Sequence, residues 1–236
     1  MSRLALVTGG TKGIGYAIAE AMMRAGNQVA ILGRSSEAVS TAERSLAKNT
    51  GAKVIGVEGD VRDATSVDRA MHQVITSLGG LDVLVNCAGV GVGAPIADLR
   101  VEEWDRIIGT NLTGVFNCCK AAIPHLRARG GGWIVNISSL SSTGPFPGGA
   151  AYVASKAGVN AFSDALMQEL RDDNIRVTTI LPGSVATGFS GREPGSGADW
   201  KLLPEDVARA VVSALDFPPR SLPSRIDVRP SKPAKR

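Results

Sequence analysis

Histidine occurs only twice in this chain and cysteine three times, and none of these residues stands at a metal-ligand spacing from another. His72 and His125 are far apart, and Cys87, Cys118 and Cys119 form no C-x-x-C pair, so a zinc or di-metal centre is not expected. Two of the cysteines are adjacent, which is poor geometry for a mutual disulfide, and all three read as small hydrophobes of a reducing compartment. Long apolar runs are missing as well. Each is soon interrupted by glycine or charge, so no membrane span is expected. The opening MSRLALVTGG has neither the apolar segment nor the cleavage site of a signal peptide, which makes the cytoplasm the expected location. A basic stripe is also lacking. Of the net charge of +4, residues 220–236 carry six Lys or Arg against one Asp, and the rest of the chain is close to neutral. That excludes the clustered footprint of a nucleic-acid binder and leaves the basicity in a Pro-containing tail.

What is present is alternation. Apolar runs recur at 4–8, 28–32, 53–57, 81–85, 133–137, 175–180 and 225–228, with amphipathic stretches such as TSVDRAMHQVITSL (65–78) between most of them. Near-continuous apolar strands separated by helices predict an α/β fold, a doubly wound Rossmann-type parallel sheet of about seven strands with helices on both faces. No repeat and no linker divides the chain, so one domain is expected over 1–229, followed by a basic tail at 230–236.

The stretch LVTGGTKGIGYAIAE (6–20) places Gly9, Gly10, Gly13 and Gly15 between a strand and a helix. Glycine there raises the entropy cost of folding and packs nothing, so the bare backbone must serve a purpose. A helix N-terminus reached through such a turn favours phosphate, and the absence of Cβ atoms lets a pyrophosphate approach. The spacing G-x3-G-x-G differs from the better-known G-x-G-x-x-G, and a purely structural turn remains the alternative. Farther on, AAYVASKAGVNAFSDALMQEL (150–170) sets Tyr152 and Lys156 one helical turn apart. A phenol titrates near ~10, and a neighbouring ammonium would lower that, giving a general acid or base. Ser139, in NISSLSSTG (136–144), falls at the carboxyl end of a predicted strand, where ligands of open α/β sheets sit. Its hydroxyl can hydrogen-bond an oxygen on which charge develops.

Together, TGGTKGIG (8–15), NCAG (86–89), Asn111, Ser139, YVASK (152–156) and the pair PG (182–183) with Thr187 resemble the motif set of the short-chain dehydrogenase/reductase family, in the family's order and over nearly the whole chain. The resemblance implies a catalytic tetrad of Asn111, Ser139, Tyr152 and Lys156. Tyr152 would exchange a proton with the substrate oxygen, Ser139 would orient that oxygen, Lys156 would hold the nicotinamide ribose and lower the pKa of Tyr152, and Asn111 would anchor a water. It also implies dinucleotide contacts from Gly9, Thr11, Lys12, Gly13, Ile14, Gly15, Asp60, Val61, Asn86, Ala88, Gly89, Tyr152, Lys156, Pro182, Gly183, Val185 and Thr187. One departure stands out: Cys87 replaces the second Asn of the usual Asn-Asn-Ala-Gly.

Cofactor choice is argued from charge. The second strand ends ILGRS, with Gly33 where an acid would bind ribose hydroxyls of NAD and Arg34 next to it. Arg34, with Lys12 nearby, suits the extra phosphate of NADP, so NADP(H) is the expected cofactor over NAD(H). The substrate is expected to be a small carbonyl compound or alcohol with an apolar portion. Its walls would come from 91–97, 142–149 and a lid at 184–200, with Phe146, Phe189 and Trp200 as apolar candidates. The resemblance favours a 3-oxoacyl thioester reductase; the alternatives are a reductase of other ketones or aldehydes, an alcohol dehydrogenase, or a non-catalytic NADP(H)-binding sensor. Segments 101–128 and 151–170 read as long helices with more apolar positions than one stripe needs. Val115, Phe116, Cys119, Val159, Phe162 and Leu166 are the candidates for a homodimer or homotetramer contact, as in relatives.

Overall fold

All seven expected strands form, within two residues of their expected bounds, in a computed structural model that describes residues 2–91, 93–189 and 200–232. They are β1 (Leu4–Thr8), β2 (Gln28–Gly33), β3 (Val54–Glu58), β4 (Val83–Asn86), β5 (Gly132–Ile137), β6 (Ile175–Pro182) and β7 (Arg225–Val228). Helices are α1 (Gly13–Arg24), α2 (Ser36–Thr50), α3 (Ala64–Leu78), α4 (Val101–Ile108), α5 (Gly114–Ala128), α6 (Ala150–Glu169) and α7 (Pro204–Leu215). The sheet is parallel throughout, in the order β3-β2-β1-β4-β5-β6-β7.

Strand side chains alternate between two cores, which is why the strands are apolar along their whole length. Ala5, Val7, Val29 and Ile31 face α1, α2 and α7, whereas Leu6, Ala30, Leu32 and Leu84 face α3, α5 and α6. The chain order reverses between β1 and β4, so the carboxyl ends of these strands diverge and open a crevice. The glycine-rich turn follows one of them and NCAG the other.

The segment 101–128 is not one regular helix. Between α4 and α5 the residues Gly109–Thr113 form a π turn, whose extra residue per turn pushes Asn111 inward. Four of the six expected contact residues, Val115, Cys119, Val159 and Leu166, belong to the core under α5 and α6 and are corrected to interior positions. At the C-terminal end, Pro230 Cδ lies 2.8 Å from where a Cβ on Gly183 would stand. Residues 233–236 lie outside the described chain.

Candidate active site

The glycine-rich turn is built for close approach. Gly9 has φ +66° and lies so near the backbone of Ala88 that a Cβ would stand 2.8 Å from the Ala88 Cα. A Cβ on Gly15 would strike the Gly9 carbonyl oxygen. Thr8 ties this turn to NCAG, its Oγ1 accepting the N–H groups of both Cys87 and Ala88 at 3.1 Å. Serine and aspartate side chains cap α2 and α3, but Lys12 gives α1 no side-chain cap, so its first N–H groups face the turn. Across the turn, Thr187 Cγ2 comes within 3.6 Å of the Cβ position at Gly13, so the segment after β6 closes over the phosphate-binding backbone. Val185 fixes that segment by bridging to Leu202, and Gly183 N–H donates to Val228 at 2.8 Å. This cradle, which side chains would fill, fits a dinucleotide. The nicotinamide cofactor of such a site, when bound, supplies or accepts a hydride.

At the adenosine end, Gly33 is buried, and a Cβ there would lie 2.5 Å from Thr11 Cγ2 and 3.1 Å from Val39 Cγ2. The local packing thus has no room for an acid at this position. Arg34 is exposed and near enough to Asp60 to help hold its carboxyl below the usual range, although the largest cause is the hydrogen bond from Arg62, 2.6 Å away. Val61 is pinned from two sides, by the Asn117 amide donating to its carbonyl at 2.9 Å and by Gly114, which has no Cβ to displace it. Ile14 is half-buried at the start of α1. Asn86 differs from the other expected contacts. Its side chain is buried in the sheet, donating to Asn136 Oδ1 at 2.8 Å and to Cys119 Sγ at 3.3 Å, and so ties β4 to β5 and α5.

The four expected catalytic residues converge. Asn111 Oδ1 and Lys156 Nζ come within 3.5 and 3.8 Å of the point a Cβ on Gly89 would occupy. Asn111 Oδ1 accepts the Val90 N–H at 2.8 Å, while its amide donates to Val90 O at 2.9 Å and to Ser155 Oγ at 3.0 Å. The side chain therefore straps the loop after β4 to α6. Neither Thr8 nor Ser155 was singled out from sequence. Only their places, directly before the glycines and inside YVASK, could have signalled them.

Ser139 caps the short 3₁₀ turn Leu140–Ser142, its Oγ accepting the Ser141 N–H at 3.1 Å. That leaves its own proton free to point at Tyr152, whose phenol lies near enough to be stabilised by it. Tyr152 is raised above the ordinary phenol value chiefly by burial, and the Ser139 hydrogen bond offsets part of that rise. Lys156 is not among the groups that shift it. The Lys156 ammonium donates to the Ile137 carbonyl at 2.7 Å and is itself pushed down to about 8 by burial. Cys87 sits beside both groups, and burial pushes its thiol up to about 12, so it is an inert neighbour and not a nucleophile.

Of the apolar wall, Phe189 lies against Tyr152 with ring centroids 5.8 Å apart, and Phe146 covers Gly149 while remaining 47% exposed. Ala94 N–H donates to Gly148 O at 3.0 Å, which joins the loop after β4 to the loop before α6. Trp200 lies elsewhere, in a cavity of about 460 Å³ with Lys201, Leu202 and Arg229. Val92 and residues 190–199, which belong to two of the expected walls, lie outside the described residues.

The profile of the family described as short chain dehydrogenase matches residues 3–194. An oxidoreductase of Staphylococcus haemolyticus is 36% identical over 229 residues, covering 97% of each chain. A 3α-hydroxysteroid dehydrogenase of Mediterraneibacter gnavus is 37% identical over 215 residues, covering 91% of this chain and 82% of its own. Among solved structures, an alcohol dehydrogenase from the archaeon Thermococcus sibiricus, complexed with 5-hydroxy-NADP, superposes with a TM-score of 0.91 at 30% identity, covering 98% and 97% of the two chains.

Proposed function

The chain belongs to the short-chain dehydrogenase/reductase family and is an oxidoreductase acting between CH–OH and C=O, and on that premise we propose that it is an NADP(H)-preferring enzyme for a carbonyl compound or secondary alcohol with an apolar portion. The observation that carries this reading is the meeting of Tyr152, Ser139, Lys156 and Asn111 at the mouth of the glycine cradle, beneath Phe189. Tyr152 gives its phenolic proton to the substrate oxygen in reduction and takes it back in oxidation. Ser139 donates its free hydroxyl proton to the same oxygen as charge develops there. Lys156, fixed by Ile137, faces the ribose side of the site, and Asn111 holds the loop after β4 against α6 so that all four groups keep their places. A 3-oxoacyl thioester is the first substrate class we propose. The named steroid dehydrogenase relative favours a second substrate class, a bulkier apolar alcohol. Following NADPH absorbance with 3-oxoacyl thioesters, simple ketones, aldehydes and hydroxysteroids separates the two, and no turnover with any of them would leave the sensor alternative standing.

NADP(H) preference is assigned to Arg34, aided by Lys12, because the packing at Gly33 bars an acid. In the wild type, kcat/KM with NADPH is expected to exceed that with NADH. A charge-assisted contact to phosphate contributes about 1.5–3 kcal/mol, so Arg34→Ala should lower the NADPH:NADH ratio by about tenfold or more. Equal wild-type values for the two cofactors would overturn the assignment.

We also propose a homodimer through the outer face of α4, α5 and α6. Phe116 is 46% exposed and meets Phe162 edge-on at 6.5 Å, and Val101 and Trp104 of α4 are exposed as well. A face of this kind is usually covered in a soluble protein, and a two-fold contact covers it in both copies at once. Light scattering at micromolar concentration should give at least twice the 24.4 kDa chain mass, and Phe116→Asp should lower it. A wild-type monomer would refute the proposal.

A further inference from the structure

The Tyr152–Lys156 stripe on α6 continues one turn further to Asn160, a residue with no part in the site described so far. Its amide Nδ2 donates to Ser142 Oγ at 2.7 Å, and Ser142 Oγ donates to the Ser139 main-chain carbonyl at 2.5 Å. The direction of this chain is fixed by chemistry. A carbonyl oxygen only accepts, so the single Ser142 proton must go to Ser139, and the Asn160 group facing Ser142 must then be the donor. This orientation has a cost. Asn160 Oδ1 is buried with no hydrogen-bond partner among the described residues. The unpartnered acceptor is the cost at which the other end of the Asn160 amide makes its hydrogen bond to Ser142.

We propose that Asn160 is a positioning residue that acts through Ser142 to hold the turn carrying Ser139, and so sets the aim of the Ser139 hydroxyl at Tyr152 and the substrate oxygen. Ser138, just before the turn, is tied to α6 by its Oγ, which donates to the Lys156 carbonyl at 3.1 Å. The Ser139 carbonyl also accepts the Ser142 N–H at 3.1 Å, a bond internal to the 3₁₀ turn that moves with it. Asn160 adds the anchor at the far end of the turn, carried on the same helix as Tyr152 and Lys156, so one rigid element fixes both the phenol and its hydroxyl partner. The inference rests on the assignment of Ser139 as the partner of Tyr152.

The test exploits the scarcity of tyrosine. The chain has two, Tyr16 and Tyr152. Tyr16 lies between α1 and α2 on Ser45 and Asn49, so Tyr16→Phe leaves Tyr152 as the sole phenol. Phenolate absorbance against pH then reads Tyr152 directly, without turnover. In that background Asn160→Leu, Ser142→Ala and the double variant should each move the Tyr152 titration upward, because a displaced Ser139 no longer supports the phenolate. The double variant should shift no further than the larger single, as expected for links of one chain. NADPH affinity should be unchanged, while kcat falls about tenfold, a fraction of the roughly 10²–10³ that a fully removed oxyanion donor costs. Leu removes an unsatisfied acceptor and Ser142 is only half-buried, and ellipticity checks that both variants fold. Additive shifts, or an unmoved titration in both single variants while Ser139→Ala moves it, would overturn the inference. If Ser139→Ala itself leaves the titration in place, the Ser139–Tyr152 assignment fails and the inference fails with it.

Discussion

Tyr152→Phe is expected to lower kcat by roughly 10²–10⁴ while leaving NADPH affinity nearly unchanged. The substitution removes one oxygen and keeps the ring. Phe at 152 preserves the contact with Phe189 at 5.8 Å and the packing at the start of α6, so the crevice keeps its shape. What disappears is the proton. No other group beside it takes over: Lys156 points its ammonium at Ile137 O, burial pushes the Cys87 thiol up to about 12, and both histidines lie on other helices, His72 on α3 and His125 on α5. The Ser139 hydroxyl still orients the oxygen, so a residual rate from positioning survives. NADPH titration by fluorescence reports affinity, and turnover is measured with whichever substrate the wild type accepts. A variant retaining more than about a tenth of wild-type kcat would remove Tyr152 from the role of proton donor.

The features legible in the sequence are those that repeat locally or sit at fixed short spacing. Strand periodicity gave every strand because both faces of a parallel sheet are buried, as the split of Leu6 and Val7 between two cores shows. The glycine cradle was legible for a similar reason: Gly9, Gly13 and Gly15 are required by positive φ or by close approach within one turn. Tyr152 and Lys156 lie one helical turn apart, so proximity followed from number alone. Partnership did not. Lys156 is claimed by a carbonyl nineteen residues away and Asn86 by Asn136, fifty residues away, and no local pattern encodes such pairs. The same holds for the expected dimer face. Helical spacing showed that α5 and α6 carry surplus apolar positions, but which of them face inward depends on how each helix is rotated against the sheet, for α5 through the π turn at Gly109–Thr113. Val115 and Val159 went to the core and Phe116 stayed outside.

The burial of Lys156 carries a consequence for stability that depends on pH. Its pKa falls from 10.5 to about 8 on folding, so between those values the unfolded chain binds more protons than the folded one. Stability therefore rises with pH across that window. Below about pH 8 the ammonium is buried and charged, and its penalty is fully present; above 10.5 the amine is neutral in both states and the penalty is gone. At 1.36 kcal/mol per pKa unit the effect is of the order of 3 kcal/mol. Lys156→Met removes the titrating group and keeps an unbranched apolar stem in the same space. It also removes the hydrogen bond to Ile137 O, a loss that a neutral amine would suffer equally and that is nearly constant with pH. The stability difference between wild type and variant should thus shift towards the wild type, by about 1–3 kcal/mol, between neutral pH and pH near 10.5. Urea unfolding of both proteins at the two pH values measures it, made in a Cys87→Ala background because the Cys87 thiol and Lys156 shift one another. A difference that stays constant would mean that the ammonium is not disfavoured in the folded chain. A shift of the expected sign would show that the site carries a destabilising charge in the absence of its ligands, as expected where a functional group is kept against the interest of the fold.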